Sequence, residues 1–134
     1  MGQLTQIFSK YSSQGFVVLA VPSNTFHQEP FTNEEVVQYA QNNSYTFPFL
    51  SKTNVNGGCS LTEKTMDIQC GSESSECCPE NAKLYDYLKS KLPGAIMWNY
   101  AKFLVGKDGT PIKRYSPTTA PNDIVPDIES ALKA

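Results

Sequence analysis

The chain has 134 residues, of which 40% are hydrophobic and 18% charged, and its formal net charge is −2 at pH 7. That length suits one domain around a single core, and the charge balance excludes the strongly basic surface that nucleic acid or an anionic membrane requires. No apolar run approaches the roughly 20 residues of a membrane span, and the opening MGQLTQIFSKYSSQGF lacks the basic start and apolar core of a secretory signal.

Leu4, Ile7, Phe8 and Tyr11 recur at helical spacing and predict a helix over residues 2–13, with Gln14-Gly15 as its stop. The apolar, β-branched run 16–21, bounded by Gly15 and Pro22, predicts a strand buried on both faces. Residues 22–31 read as a polar loop. Thr32-Asn33-Glu34-Glu35 matches a capping box and opens a helix to about Asn42. Phe47-Pro48-Phe49-Leu50 is at most a short strand, with Pro48 placing it at an edge or a strand start.

Residues 52–82 are polar, rich in Gly, Ser and Cys, and without period, so they read as loop. Leu84, Tyr85, Tyr87, Leu88 and Leu92 mark a further helix closed by Pro93-Gly94. Residues 102–105 and 112–115 flank Gly106-Lys107-Asp108-Gly109, a hairpin whose turn is Asp108-Gly109. Ile124, Ile128, Ala131 and Leu132 mark a last helix, with Pro121 or Pro126 near its first turn.

This order is most of a thioredoxin-like α/β layer architecture, read as one domain over 1–134 with a Cys-rich loop insert at 58–82. The opening helix has the form of a crossover between parallel strands, so the first, central strand of that topology is expected before Met1 and is lacking here.

Several segments resemble the glutathione peroxidase family of thiol and selenol peroxidases. Residues 15–24 look like its strand ending in Phe-Pro-Cys-Asn-Gln-Phe-Gly, Asn54-Val55-Asn56-Gly57 contains its Val-Asn-Gly step, and residues 84–89 match the helix after it. Trp98-Asn99 through Asp108-Gly109, then Arg114-Tyr115, resembles its most specific signature. In that family a Cys or selenocysteine attacks the peroxide oxygen, while a Gln, a Trp and an Asn hold hydrogen bonds to it and to the departing oxygen. The resemblance assigns the last three roles to Gln28, Trp98 and Asn99. The chemistry agrees, because such donors favour the anion and stabilise charge as the O–O bond breaks.

The departures are equally specific. No Cys stands where the family keeps its nucleophile; Met1-Gly2-Gln3-Leu4 resembles the helix that follows it, so the attacking residue is expected upstream of Met1. A selenocysteine codon read as a stop would give such a start. Ser23 occupies the place of a second, non-catalytic Cys and has no base near it in sequence. The loop 24–28 is one residue shorter than its counterpart and lacks its Gly. Gln41 stands where thioredoxin-dependent members keep a resolving Cys, so the implied reductant is glutathione, with no bound cofactor.

The cysteines are Cys59, Cys70, Cys77 and Cys78, crowded into one polar segment. Their spacing is a poor zinc signature, and the insert reads as a reduced surface loop, with resolution of an oxidised nucleophile as the alternative. His27 is the single histidine and reads as solvated, with proton donation as its functional alternative. Lys102, Lys107, Lys113 and Arg114 read as a charged strand face; in the family, basic residues near the cleft draw in the glutathione carboxylates. The expectation is a monomeric, cytoplasmic protein that reduces hydrogen peroxide or organic hydroperoxides with thiols in the oxidative stress response. The alternative is a truncated, inactive thioredoxin-fold chain acting at most as a binding module.

Overall fold

Helix α1 (Gly2–Tyr11) turns Ile7 and Tyr11 inward and continues through a 3-10 turn, Ser12–Gln14. Gly15 closes it at φ 94°, with the Phe16 amide reaching back to the Tyr11 carbonyl at 3.3 Å. That left-handed step is nearly free for glycine. The computed structural model describes residues 2–23, 32–51, 55, 83–93, 96 and 100–134. They divide into two compact units, one of Met1–Pro22, Pro30–Lys52 and Thr119–Ala134, the other of Ser23–Glu29 and Thr53–Thr118.

In the first unit, helix α2 (Asn33–Asn42) starts at Thr32, whose side-chain oxygen accepts from the Glu35 amide at 3.2 Å. Glu34 and Glu35 lie in the first turn, where carboxylates favour the positive end of the helix. Val36 and Ala40 face the core. At the other end the Ser44 amide bonds the Gln41 carbonyl at 3.1 Å and the Tyr45 amide bonds the Ala40 carbonyl at 2.9 Å. This is a Schellman cap, and it places Ser44 at φ 57°. The chain then extends so that Tyr45, Phe47 and Phe49 share one face. Their rings stack at 5.9 Å (Tyr45–Phe47) and 5.6 Å (Phe47–Phe49), with Phe8 of α1 edge-on to Phe47 at 6.3 Å.

The run 16–21 corrects the expectation of a strand buried on both faces. Among the described residues it forms one parallel bridge, Ala20 with Phe49, made by the Ala20 amide on the Pro48 carbonyl (2.9 Å) and the Leu50 amide on the Ala20 carbonyl (2.8 Å). Val17 and Leu19 are each 52% exposed, while Phe16, Val18 and Ala20 are half-buried. A segment paired at a single bridge packs one face only, so its side chains alternate in and out with the period of two.

The unit closes with a 3-10 turn at Pro121–Ile124 and helix α4 (Val125–Lys133), each with a proline in its first turn. Ile124 and Ile128 are buried. The Tyr11 hydroxyl donates to the Glu129 carboxylate, and the Asn122 amide donates to the Gln3 side-chain oxygen at 3.1 Å, so α1 is tied to both.

The second unit holds helix α3 (Lys83–Lys91) and the antiparallel hairpin of β1 (Lys102–Val105) and β2 (Pro111–Tyr115). Lys102 pairs with Tyr115, Phe103 with Arg114 and Leu104 with Lys113. Val105 then faces Pro111, and the register slips between Leu104 and Val105. The expected turn is present. Gly109 takes φ 84°, its amide bonds the Gly106 carbonyl at 3.0 Å, and the Asp108 carboxylate accepts from the Thr110 amide at 2.9 Å.

Ser44 carries a left-handed conformation that costs an L-residue roughly 1–2 kcal/mol. Ser44→Gly should therefore raise the unfolding free energy by about 1 kcal/mol after the extra entropy of the unfolded glycine chain is subtracted. Urea unfolding followed by far-UV circular dichroism checks this; a midpoint unchanged or lowered contradicts the cap.

Candidate active site

Gln28, Trp98 and Asn99, with His27, the loop 24–31 and all four cysteines, lie outside the described residues. Ser23, just before that loop, is half-buried, and Gln41 is exposed on α2. What the structure places is the framework that flanks Trp98 and Asn99. Ile96 on one side is 4% exposed, and Ala101 on the other is half-buried beside it. Ile96 and Val55 form the centre of a cluster on which Tyr85, Ala101 and Phe103 pack.

Helix α3 supplies one wall of this cluster. Tyr85, Leu88, Lys89 and Leu92 fall at three- and four-residue spacing and so share a face. Leu88 is buried at 6% exposure, and the Tyr85 ring meets Phe103 edge-on at 6.2 Å. Burial raises the Tyr85 phenol above its ordinary value, because the phenolate would have to give up water. Lys89 is 4% exposed, and its ammonium donates to the main-chain carbonyl of Val55, which lies 34 positions earlier in the chain.

Arg114 supplies the second anchor. Opposite Phe103 in the hairpin register, its guanidinium lies over the Phe103 ring, 4.9 Å from the centroid. Its Nη1 donates to the carbonyls of Leu92 (3.0 Å) and Pro93 (2.9 Å), at the C-terminal end of α3. The end of a helix leaves carbonyls without intrahelical partners and carries partial negative charge, so a cation there is favoured twice. Burial lowers the Arg114 value from its ordinary one, because the charged guanidinium gives up water. The Tyr87 hydroxyl adds a third tie, donating to the Gly109 carbonyl at the hairpin turn at 2.8 Å.

The basic residues of the hairpin therefore do different things. Arg114 is engaged on main-chain carbonyls, and Lys113 sits over the Tyr115 ring at 5.3 Å. Lys102 directs its ammonium to the Ser116 carbonyl at 3.4 Å, with its pKa lowered by partial burial. Lys107 is exposed at the turn. The reading as a plain charged face misses the structural use of Arg114, and the sequence reading missed Lys89 altogether. The available signal for Lys89 was its spacing of four from Tyr85, which puts a cation on the apolar side of α3. Among the described residues no group of His, Cys, Asp and Glu is arranged to hold a metal ion.

A mixed α/β chain with a parallel bridge after its first helix and a C-terminal hairpin and helix fits the thioredoxin-like class. Comparison with solved structures agrees: the apo crystal structure of Trgpx superposes with a TM-score of 0.67 at 27% identity, covering 99% of this chain and 70% of that one. The glutathione peroxidase family model matches residues 1–63. Probable glutathione peroxidase 5 of Arabidopsis thaliana is 42% identical over 97% of this chain and 66% of its own length. The glutathione peroxidase-like peroxiredoxin HYR1 of Saccharomyces cerevisiae is 34% identical over 98% of this chain and 72% of its own. The chain belongs to the glutathione peroxidase family. It spans 66% of the length of that Arabidopsis relative and 50% of the chloroplastic phospholipid hydroperoxide glutathione peroxidase 1 of the same plant.

Arg114→Met removes both bonds to the end of α3 and should lower the unfolding free energy by about 2 kcal/mol, with Arg114→Lys recovering only part of it because an ammonium lacks the planar fork and face. A loss within error in both variants would contradict the clamp. The Tyr85 shift gives a second expectation. Its folded value lies above its unfolded one, so this contribution to stability is intact below the ordinary phenol range and falls as pH rises through the folded value. Unfolding free energies measured across alkaline pH should fall less steeply in Tyr85→Phe; identical slopes would contradict the burial.

Proposed function

We propose that this chain serves the reduction of hydroperoxides by thiols, with Gln28, Trp98 and Asn99 donating hydrogen bonds to the reacting anion. The observation that carries the reading is the family membership at 42% identity across 97% of the chain, a span that includes all three residues. The step they assist is displacement at oxygen. A thiolate or selenolate attacks one peroxide oxygen, the O–O bond breaks, and the other oxygen leaves as hydroxide or alkoxide and takes up a proton. The attacking sulfur or selenium is left as the sulfenic or selenenic acid. One thiol then forms a mixed disulfide or selenylsulfide and releases water. A second thiol frees the nucleophile and leaves a disulfide.

An indole N–H and two carboxamides are donors that carry no proton to lose at neutral pH, so they stabilise negative charge throughout the step without titrating. None of Cys59, Cys70, Cys77 and Cys78 stands at the family's nucleophile position. The part these 134 residues play is accordingly the electrostatic one. Glutathione is the proposed reductant, since Gln41 replaces the resolving thiol on an exposed face of α2. Several relatives are named phospholipid hydroperoxide glutathione peroxidases, which supports an organic hydroperoxide as substrate.

The test joins this chain to an upstream segment carrying the family's attacking cysteine and follows hydroperoxide loss with glutathione. Trp98→Phe or Asn99→Ala should lower kcat/KM by roughly 10²-fold or more, as loss of an anion-stabilising donor does. The 134-residue chain alone should show no turnover above the free-thiol background. Full activity in both donor variants would overturn the assignment.

A further inference from the structure

Tyr39 and Tyr45 lie ring to ring across the C-terminal end of α2, with 6.2 Å between their centroids and their planes tilted by 59°. The hydroperoxide chemistry above uses neither. The backbone holds both in place. The Tyr39 carbonyl accepts from the Asn43 amide (3.1 Å) and from its side-chain Nδ2 (2.8 Å), and the Tyr45 amide donates to the Ala40 carbonyl (2.9 Å). The Tyr45 ring is half-buried and stacks on Phe47 at 5.9 Å and Phe49 at 6.4 Å, which fixes it. Tyr39 is 61% exposed, so its side chain is the one free to turn, and an exposed side chain changes rotamer within nanoseconds. The other tyrosines of the described residues are placed differently. Tyr11 and Tyr115 are buried, and so is much of Tyr85. Tyr87 and Tyr100 are exposed, but among the described residues no second phenol ring lies against either.

We propose that Tyr39 and Tyr45 are an oxidative modification site, joined as a dityrosine within one chain when a one-electron oxidant of the haem peroxidase class acts on it with hydrogen peroxide. Each phenol gives up its O–H proton and one electron, and the unpaired electron spreads to the ring carbons beside the oxygen. One such carbon of Tyr39 bonds to one of Tyr45, and the hydrogen on each moves to its own oxygen, which restores both phenols. The two electrons and two protons released reduce one hydrogen peroxide to two waters. Proximity selects the pair. A ring held a few residues away is present at an effective concentration in the millimolar range or above, so at micromolar protein coupling within the chain outruns coupling between chains by roughly 10³-fold. The product would close the end of α2 covalently onto the extended segment that carries Phe47 and Phe49.

The experiment treats the full chain, its four cysteines alkylated so that no thiol repairs the radicals, with a haem peroxidase and limiting hydrogen peroxide. Dityrosine emission should appear in material that still runs as a single chain on a denaturing gel, at a rate constant independent of protein concentration. The chain has no Lys or Arg between Lys10 and Lys52, so both rings fall in the tryptic peptide 11–52. That peptide should lose two hydrogens and yield no fragment ions from cleavage within 39–45. Tyr39→Phe and Tyr45→Phe should each lose the single-chain emission, because a phenyl ring has no O–H to oxidise, while Tyr100→Phe should keep it. Dityrosine found only in joined chains, fragment ions from within 39–45 in the oxidised peptide, emission that survives in Tyr39→Phe, or no coupling where free tyrosine couples in a parallel reaction overturns the proposal. The peptide reading of the wild type decides even where a variant fails to fold. The oxidant is external, so none of these outcomes depends on the proposed function of the chain.

Discussion

Two long cations holding main-chain carbonyls set the second unit of this protein. Lys89 takes the carbonyl of Val55, and Arg114 takes those of Leu92 and Pro93. Val55, Leu92 and Pro93 themselves stand in no helix or strand, and a cation reaches the carbonyl of each. A neutral donor could satisfy one such group, but a charged one forms roughly twice as strong a bond and reaches further. The price is the desolvation of both cations, visible in the lowered pKa of Arg114, and it is offset by packing: Arg114 lies against the Phe103 ring and Lys89 runs along the apolar face of α3.

This arrangement explains how a short helix and a two-stranded hairpin can hold each other in place. A two-stranded hairpin is marginal by itself, and a nine-residue helix is shorter than an isolated helix needs. Docked on each other through Tyr85 and Phe103, and tied through Arg114 and Tyr87, they bury a common cluster around Ile96 and Val55. Ile96 and Ala101, which flank Trp98 and Asn99 in sequence, belong to that cluster. Donors that stabilise a transient anion must already be in place when the charge develops, which is what the proposed chemistry asks of Trp98 and Asn99.

Much of the local structure was legible in the residues. The cap at Thr32, the glycine stop at Gly15, the Asp108-Gly109 turn and the prolines that open the last helix all act through near neighbours, and each stands where the sequence put it. The run 16–21 was misread because a continuous apolar stretch does not reveal how many of its faces find a partner; Val17 and Leu19 remain half exposed. Lys89 and Arg114 were missed or misjudged for a related reason. Their acceptors lie 34 and about 20 positions away, and charge in a helix or strand pattern looks the same whether its partner is water or a distant carbonyl. The roles of Gln28, Trp98 and Asn99 came from motif resemblance, and the positions themselves lie outside the described residues.

Helix α3 and the β1–β2 hairpin form one cooperative body around Ile96 and Val55. Native-state hydrogen exchange, resolved to single amides, tests it most directly. The account predicts that the amides of α3 around Leu88 and Leu92 and those of the hairpin around Phe103 and Tyr115 open with a common free energy, and that this value drops for both elements together when Arg114 is replaced by Met. A helix that opens at much lower free energy while the hairpin stays protected, or an Arg114 replacement felt by one element alone, would contradict it.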